Sequence, residues 1–296
     1  MEILIKSGHA DLVAAFRAQL RGLGPEATTA RGTQDDIDNK RWDHRRMSVQ
    51  SGTKRSEGGL AETVRVIIHA LIIAVVIRTF LFQPFNIPSG SMIPTLLVGD
   101  YLFVSKYSYG YTHYSFPFSP NLFNGRIFAS PPHRGDVVVF RLPKDPTIDY
   151  IKRVVGLPGD RIQVIHSVLN INGVPVKRER VEQGCVAHED VGQPVMCYRE
   201  TMPNGVSYIT HDFTRDGFLD NTEVFTVPPG NYFMMGDNRD NSTDSRVQSA
   251  VGYVPFENLI GRAQVIFFSI GEDTPAWEVW NWPWAVRWSR LFKLVR

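Results

Sequence analysis

Four side chains in this chain have the chemistry of acyl transfer if the fold brings them together. They are Ser89 and Ser91 in "IPSGSMIPTLLVGD" (87–100), Lys152 in "YIKRVVGLPGD" (150–160), and Ser242 in "MMGDNRDNSTDSR" (234–246). A serine hydroxyl is a weak nucleophile at neutral pH and needs a base beside it. After residue 84 the histidines are His113, His133, His166, His188 and His211, and none sits in a Gly-x-Ser-x-Gly elbow or beside an Asp that reads as a triad partner. A lysine serves instead once burial disfavours its ammonium form. Lys152 is flanked by Tyr150, Ile151, Val154 and Val155, although taken alone such a lysine reads as a surface residue with a buried stem.

The polar string 234–246 admits other readings. One is a solvated loop; another is a cation site built on Asp237, Asp240 and Asp244. A calcium loop alternates acidic or amide ligands and then turns at a glycine, whereas here Arg239 takes a ligand position and no glycine follows. Neither a metal nor another cofactor is expected.

These strings need a scaffold, and the pattern from residue 100 onward is β. "YLFVSKY", "GDVVVFRL", "YIKRVVGL", "DRIQVIHSVLNING", "EVFTVPPGNYFMMGD" and "LIGRAQVIFFSI" read as strands, with turns at "LPGD", "NINGVPV" and "VPPGN". No long amphipathic helix interrupts them. The expected fold is therefore mainly β: a catalytic domain over 84–296 with an inserted irregular β region at about 166–222.

Ahead of the domain, "VRVIIHALIIAVVIRTFLF" (64–82) is long enough to span a bilayer as a helix of about 28 Å. Arg65 and Arg78 sit near enough to its ends to snorkel; a buried soluble helix is the alternative. Lys40, Arg41, Arg45, Arg46, Lys54 and Arg55 precede it, and the next basic residue after Arg78 is Lys106, which puts the N-terminus in the cytoplasm and the β domain outside. Residues 1–60 lack apolar periodicity over most of their length and read as largely disordered, and a start at Met47 would make 1–46 an upstream artefact.

Cys185 and Cys197 fall in the external part, where they form either a disulfide or two buried thiols. The aromatic segment 107–123 suits a lipid interface or a packed loop, and the Trp-rich tail at about 277–296 suits a membrane interface or a docked terminal helix. The formal charge of +2 over 296 residues gives no basic surface for nucleic acid, and none is expected as a partner.

Together, "PSGSMIPTL" after an apolar segment, "GDVVVF" and "YIKRVVGLPGD" in mid-domain, and "GDNRDNSTDSR" late make the chain resemble type I signal peptidases, the bacterial Ser/Lys leader peptidases, over about residues 64–270. That resemblance implies a membrane-bound serine endopeptidase of the bacterial cytoplasmic membrane, its catalytic domain on the periplasmic side. Its partners would be signal-peptide-bearing precursors and membrane lipid, in functional association with the protein export machinery.

By the same resemblance Ser91 is the nucleophile, Lys152 the general base, and the Ser89 hydroxyl with the Ser91 N–H the oxyanion hole. Ser242 orients the lysine, Asp244 and Arg246 form an ion pair, and Gly236 and Asp237 line the site. Ile87, Met92 and Leu96 are the apolar residues expected to line the substrate pocket. The family often carries two membrane spans, and only one is legible here. A self-cleaving Ser/Lys repressor lacks a place for the apolar segment; a conjugation-type processing peptidase and a membrane-anchored β binding module with decayed catalysis are the remaining rivals.

Overall fold

Helix α1 (Gly59–Val76) is apolar nearly all round and buries none of its residues. It runs into one wider helical turn, Ile77–Leu81, giving a 23-residue segment with an 18-residue window of mean hydropathy 2.2. At 1.5 Å per residue this is about 34 Å, enough to cross a bilayer core. The helix starts earlier than the apolar run suggests and stops at Leu81, because Phe82 already pairs with Ser105 in the sheet. The computed structural model describes residues 59–296 except 122, 183–184, 186–194, 215, 272–273 and 275–276. The readings of residues 1–58, including the start at Met47, lie outside the described residues.

Strand β1 (Phe82–Asn86) leaves the helix directly, and β2 (Asp100–Ser105) returns along it. Between them, residues 87–99 make the compact bend that carries both serines. Next come β3 (Val137–Leu142) and β4 (Asp145–Gly156), joined as an antiparallel pair with Val138 opposite Lys152. The run "VVVF" is uninterrupted because β3 is buried on both sides. Val137 and Val139 pack with Ile87, Met92 and Leu96, whereas Val138 and Phe140 pack with Tyr109, Val154 and Met234.

The chain then forms β5 (Arg161–Ile165), β6 (Val168–Ile171), β7 (Val174–Pro175), β8 (Lys177–Arg180), β9 (Met196–Thr201) and β10 (Ser207–Asp212). The segment 160–173, expected as one strand, is a hairpin: His166 and Ser167 turn in the left-handed region at φ 48° and 64°. Asn172 and Gly173, both at positive φ, make the next tight turn, as Asn-Gly pairs do. Much of the region read as irregular is therefore hydrogen-bonded sheet, β10-β9-β8 forming one layer. Cys185 and Cys197 are joined there as a disulfide, with Cα atoms 5.6 Å apart.

Strands β11 (Phe225–Thr226), β12 (Asn231–Met235), β13 (Val254–Pro255), β14 (Leu259–Ser269) and β15 (Lys293–Leu294) complete the fold. The main sheet runs β1-β2-β14-β3-β4-β12-β13 with β15 beside β14, and β11-β5-β6-β7 forms the remaining sheet. The C-terminal tail docks through β15 and through Arg290, buried on Asp100, while Trp277, Trp280, Trp284 and Trp288 stay exposed. In the aromatic segment 107–123, Tyr109 enters the core and Phe80 at the helix end meets Tyr111 and Phe116; Phe118 is fully exposed.

Candidate active site

Ser91 sits in a single helical turn, Gly90–Met92, that begins where Ser89 is still extended. Lys152 lies in β4 at the start of its buried half and is 4% exposed. The two meet across the fold: Lys152 Nζ donates to Ser91 Oγ at 2.6 Å. Burial pulls the Lys152 ammonium down to about 8, against the pull of Asp244 and Asp237, which favour the charge. A lysine in that range loses its proton at mildly alkaline pH, which a surface lysine near 10.4 does not.

The Ser91 and Lys152 side chains open into a groove of about 640 Å³ whose walls include Phe85, Ile87, Ser89, Val139 and Ile151. Apolar walls around a few converging polar groups are the usual make-up of a ligand site. Ser89 is exposed on the rim, with its Oγ 3.4 Å from Ser91 Oγ. Ile87 lines the groove as expected, but Met92 and Leu96 do not. Both have 0% exposure and pack with Leu102 and Val104, because the tight turn at Gly90–Met92 sends their side chains inward.

The late polar string wraps behind the serine. Gly236 is required by space: a Cβ there would stand 2.2 Å from Ser242 Oγ and 2.5 Å from the Ser91 carbonyl oxygen. Asp244 and Arg246 form a buried bidentate pair at 2.8 and 2.9 Å, and Asp244 also accepts the Gly236 N–H at 3.0 Å. Burial alone would raise the Asp244 carboxyl; Arg246 and the backbone donors hold it below its ordinary value. Ser242 is buried beside Gly236, yet its Oγ makes no hydrogen bond, so the bond to Lys152 that the resemblance implies is not formed in this structure.

Three partners in this region escape a reading of the sequence. Asn238 clamps the turn that carries Ser91, donating its N–H to Ser91 O at 3.2 Å and Nδ2 to Gly90 O at 3.0 Å. Arg153, the residue after the lysine, holds Asp237 through Nε and Nη2 at 2.8 and 2.7 Å and lies 4.0 Å over the Tyr208 ring. Arg239 pairs with buried Glu200 of β9 at 2.6 and 2.7 Å. Asn238 and Arg239 stand inside a visible motif, but nothing in the sequence marks Glu200.

The model of the family described as "Signal peptidase, peptidase S26" matches residues 60–268. A signal peptidase I from Rickettsia typhi is 47% identical over 241 residues, covering 75% of this chain and 89% of the relative. One from Rickettsia prowazekii is 46% identical over 240 residues with the same coverage. A crystal structure of a signal peptidase I from Enterococcus faecalis V583 is 25% identical and covers 45% of this chain and 97% of its own, with a TM-score of 0.27. With the family model spanning the groove and all three strings that build it, and relatives aligned over three quarters of the chain, this chain belongs to the signal peptidase family, peptidase S26: serine endopeptidases that remove signal peptides from precursor proteins.

Proposed function

We propose that Ser91 is the nucleophile and Lys152 the general base of signal-peptide cleavage; the carrying observation is the 2.6 Å approach of Nζ to Oγ inside a buried, apolar site. Neutral Lys152 takes the Ser91 proton as Oγ adds to the scissile carbonyl carbon. The Ser89 hydroxyl and the Ser91 N–H donate to the oxygen that becomes negative. The lysine then returns the proton to the departing amine as the C–N bond breaks, leaving an acyl-serine. Water attacks that ester with Lys152 again as base, which releases the signal peptide and restores Oγ–H.

In this reading Ser242 and Gly236 pack the loop against the dyad, and the Asp244–Arg246 pair fixes it. Ile87 and the other apolar walls of the groove accept the small side chains that precede the cleavage site, with the precursor lying along the groove as an extended strand. The precursor arrives at the membrane from the export machinery. Residues 1–58 are then cytoplasmic, Gly59–Leu81 crosses the cytoplasmic membrane once, and the β domain faces the periplasm. Stacked Phe103 and Phe267, with exposed Trp280, Trp284 and Trp288, are the groups suited to rest on lipid.

The test is cleavage of a precursor by purified Ser91→Ala. No turnover with native far-UV and near-UV spectra is expected, whereas turnover near the parent rate contradicts the assignment.

A further inference from the structure

The oxygen that turns negative in the proposed reaction has two donors, the Ser89 hydroxyl and the Ser91 N–H. That N–H belongs to the Gly90–Ser91 peptide, which is planar and trans, so its direction is fixed by where the Gly90 carbonyl points at the opposite edge of the plane. Gly90 and Ser91 both line the groove. Gly90 has no side chain to restrain the plane, and a glycine backbone has more freedom than any other. Something behind the turn must hold it.

Asn238 is placed to do so. It is fully buried and is not part of the groove wall. Its Nδ2 donates to Gly90 O at 3.0 Å and its backbone N–H to Ser91 O at 3.2 Å, so one residue grips the carbonyls of the two peptides that flank the Ser91 Cα. Gly90 O takes a further bond from the Ile93 N–H at 3.2 Å, which closes the turn itself. Asn238 has little freedom of its own. Asp237 before it is paired with Arg153, Arg239 after it is paired with Glu200, and the Arg239 N–H bonds the His211 carbonyl at 2.8 Å. With the Gly90 carbonyl drawn back onto this loop, the trans peptide turns the Ser91 N–H away from it. The bond from Nδ2 also polarises the amide, which makes its N–H the stronger donor.

We propose that Asn238 is a positioning residue for the oxyanion hole: it holds and polarises the Gly90–Ser91 peptide so that the Ser91 N–H meets the charge developing on the scissile carbonyl oxygen. The inference rests on Ser91 being the nucleophile. Asn238 touches no substrate, so its loss leaves precursor binding and the Lys152 ionisation alone and slows the chemical step.

The experiment compares the full chain in detergent micelles with Asn238→Leu, which is close in size and keeps the backbone N–H. The Ile93 N–H still satisfies the Gly90 carbonyl in this variant, so no buried carbonyl is orphaned. For precursor cleavage kcat should fall about 10–100-fold, less than the roughly 10²–10³-fold cost of losing a donor outright, with KM within about twofold and the ionisation near pH 8 unmoved. Two signal-segment peptides supply a readout that a purely structural role would not move, one ending in a boronic acid and one in the corresponding alcohol. Ser91 Oγ adds to boron and its proton passes to Lys152, which leaves an anionic tetrahedral adduct with one oxygen in the oxyanion position; the alcohol fills the groove without forming that bond. The boronic acid should bind Asn238→Leu about 10–100-fold more weakly than the parent, and the alcohol equally to both. A parent that binds the boronic acid no tighter than the alcohol removes Ser91 as nucleophile, and this inference with it. Where the parent does discriminate, an equal loss of both peptides in Asn238→Leu, a shifted ionisation or an unchanged boronic acid affinity overturns the role of Asn238 alone. Asn238→Ala carries the same measurement if the leucine variant does not fold; failure of both to reach a native Tm marks Asn238 as structural and overturns the assignment too.

Discussion

Lys152 and Lys106 are buried to nearly the same degree, 4% and 2% exposed, and burial lowers both ammonium groups to about 8. Their surroundings differ. Lys152 Nζ reaches a serine hydroxyl on the wall of an open groove, whereas Lys106 Nζ donates to the Ser115 carbonyl, closing the aromatic segment near the helix end. Arg78 and Arg141 add to the lowering at Lys106; at Lys152 the acids Asp244 and Asp237 oppose it. A lysine that readily loses its proton is thus not by itself a base: it also needs a nucleophile within reach and room for substrate.

The sharpest way to break that distinction is to exchange the two lysines' fates. Lys152→Met should abolish precursor cleavage, a loss of about 10²–10⁴ or more from the general base alone, while Lys106→Met should leave kcat within a few-fold of the parent. Equal losses at both positions in steady-state assays would mean that burial, and not the contact with Ser91, is what matters. Ser89→Ala comes next. Loss of one oxyanion donor costs about 2.7–4 kcal/mol of transition-state stabilisation, read as lower kcat with little change in KM.

Stability should move in the opposite direction from activity at Lys152. Its folded pKa lies below the unfolded value, so the unfolded chain binds more protons between about 8 and 10.5, and stability rises with pH across that window. Below about pH 8 the full cost of burying the group applies. Lys152→Met should therefore unfold at higher urea concentration than the parent at pH 7, by up to about 3 kcal/mol, and the gap should close toward pH 10. A gap independent of pH would mean that folding does not lower the lysine's pKa.

The smallest effect on turnover is expected at a residue that does not line the groove. Cys197→Ser opens the disulfide to Cys185, a separation of 12 residues, and should cost about 3 kcal/mol of stability in urea titrations with kcat unchanged.

Ser91 and Lys152 are picked out in the sequence only by the resemblance that their strings carry; taken alone Lys152 reads as a surface residue, and its burial against Ser91 depends on the packing of β4 against the turn at Gly90. The β content and the Asn172–Gly173 turn are legible because both follow from local residue types. What is lost depends on contacts distant in sequence. The break at His166–Ser167 carries no Gly or Pro to announce it, and β1 is hidden by following the helix without a linker. Met92 and Leu96 look like pocket residues because they flank the serine, but they complete the core behind it. Glu200 could not be linked to Arg239 before the inserted sheet is folded onto the loop.

The central claim, that neutral Lys152 activates Ser91, is tested most directly by the pH dependence of kcat/KM for precursor cleavage. The parent enzyme should gain activity through one ionisation near pH 8, set by the buried lysine in the free enzyme. Lys152→Arg retains the cation but cannot lose its proton in this range, so its activity should stay at background at every pH. An alkaline limb that survives in Lys152→Arg with substantial kcat/KM would contradict the claim and assign the base to another group.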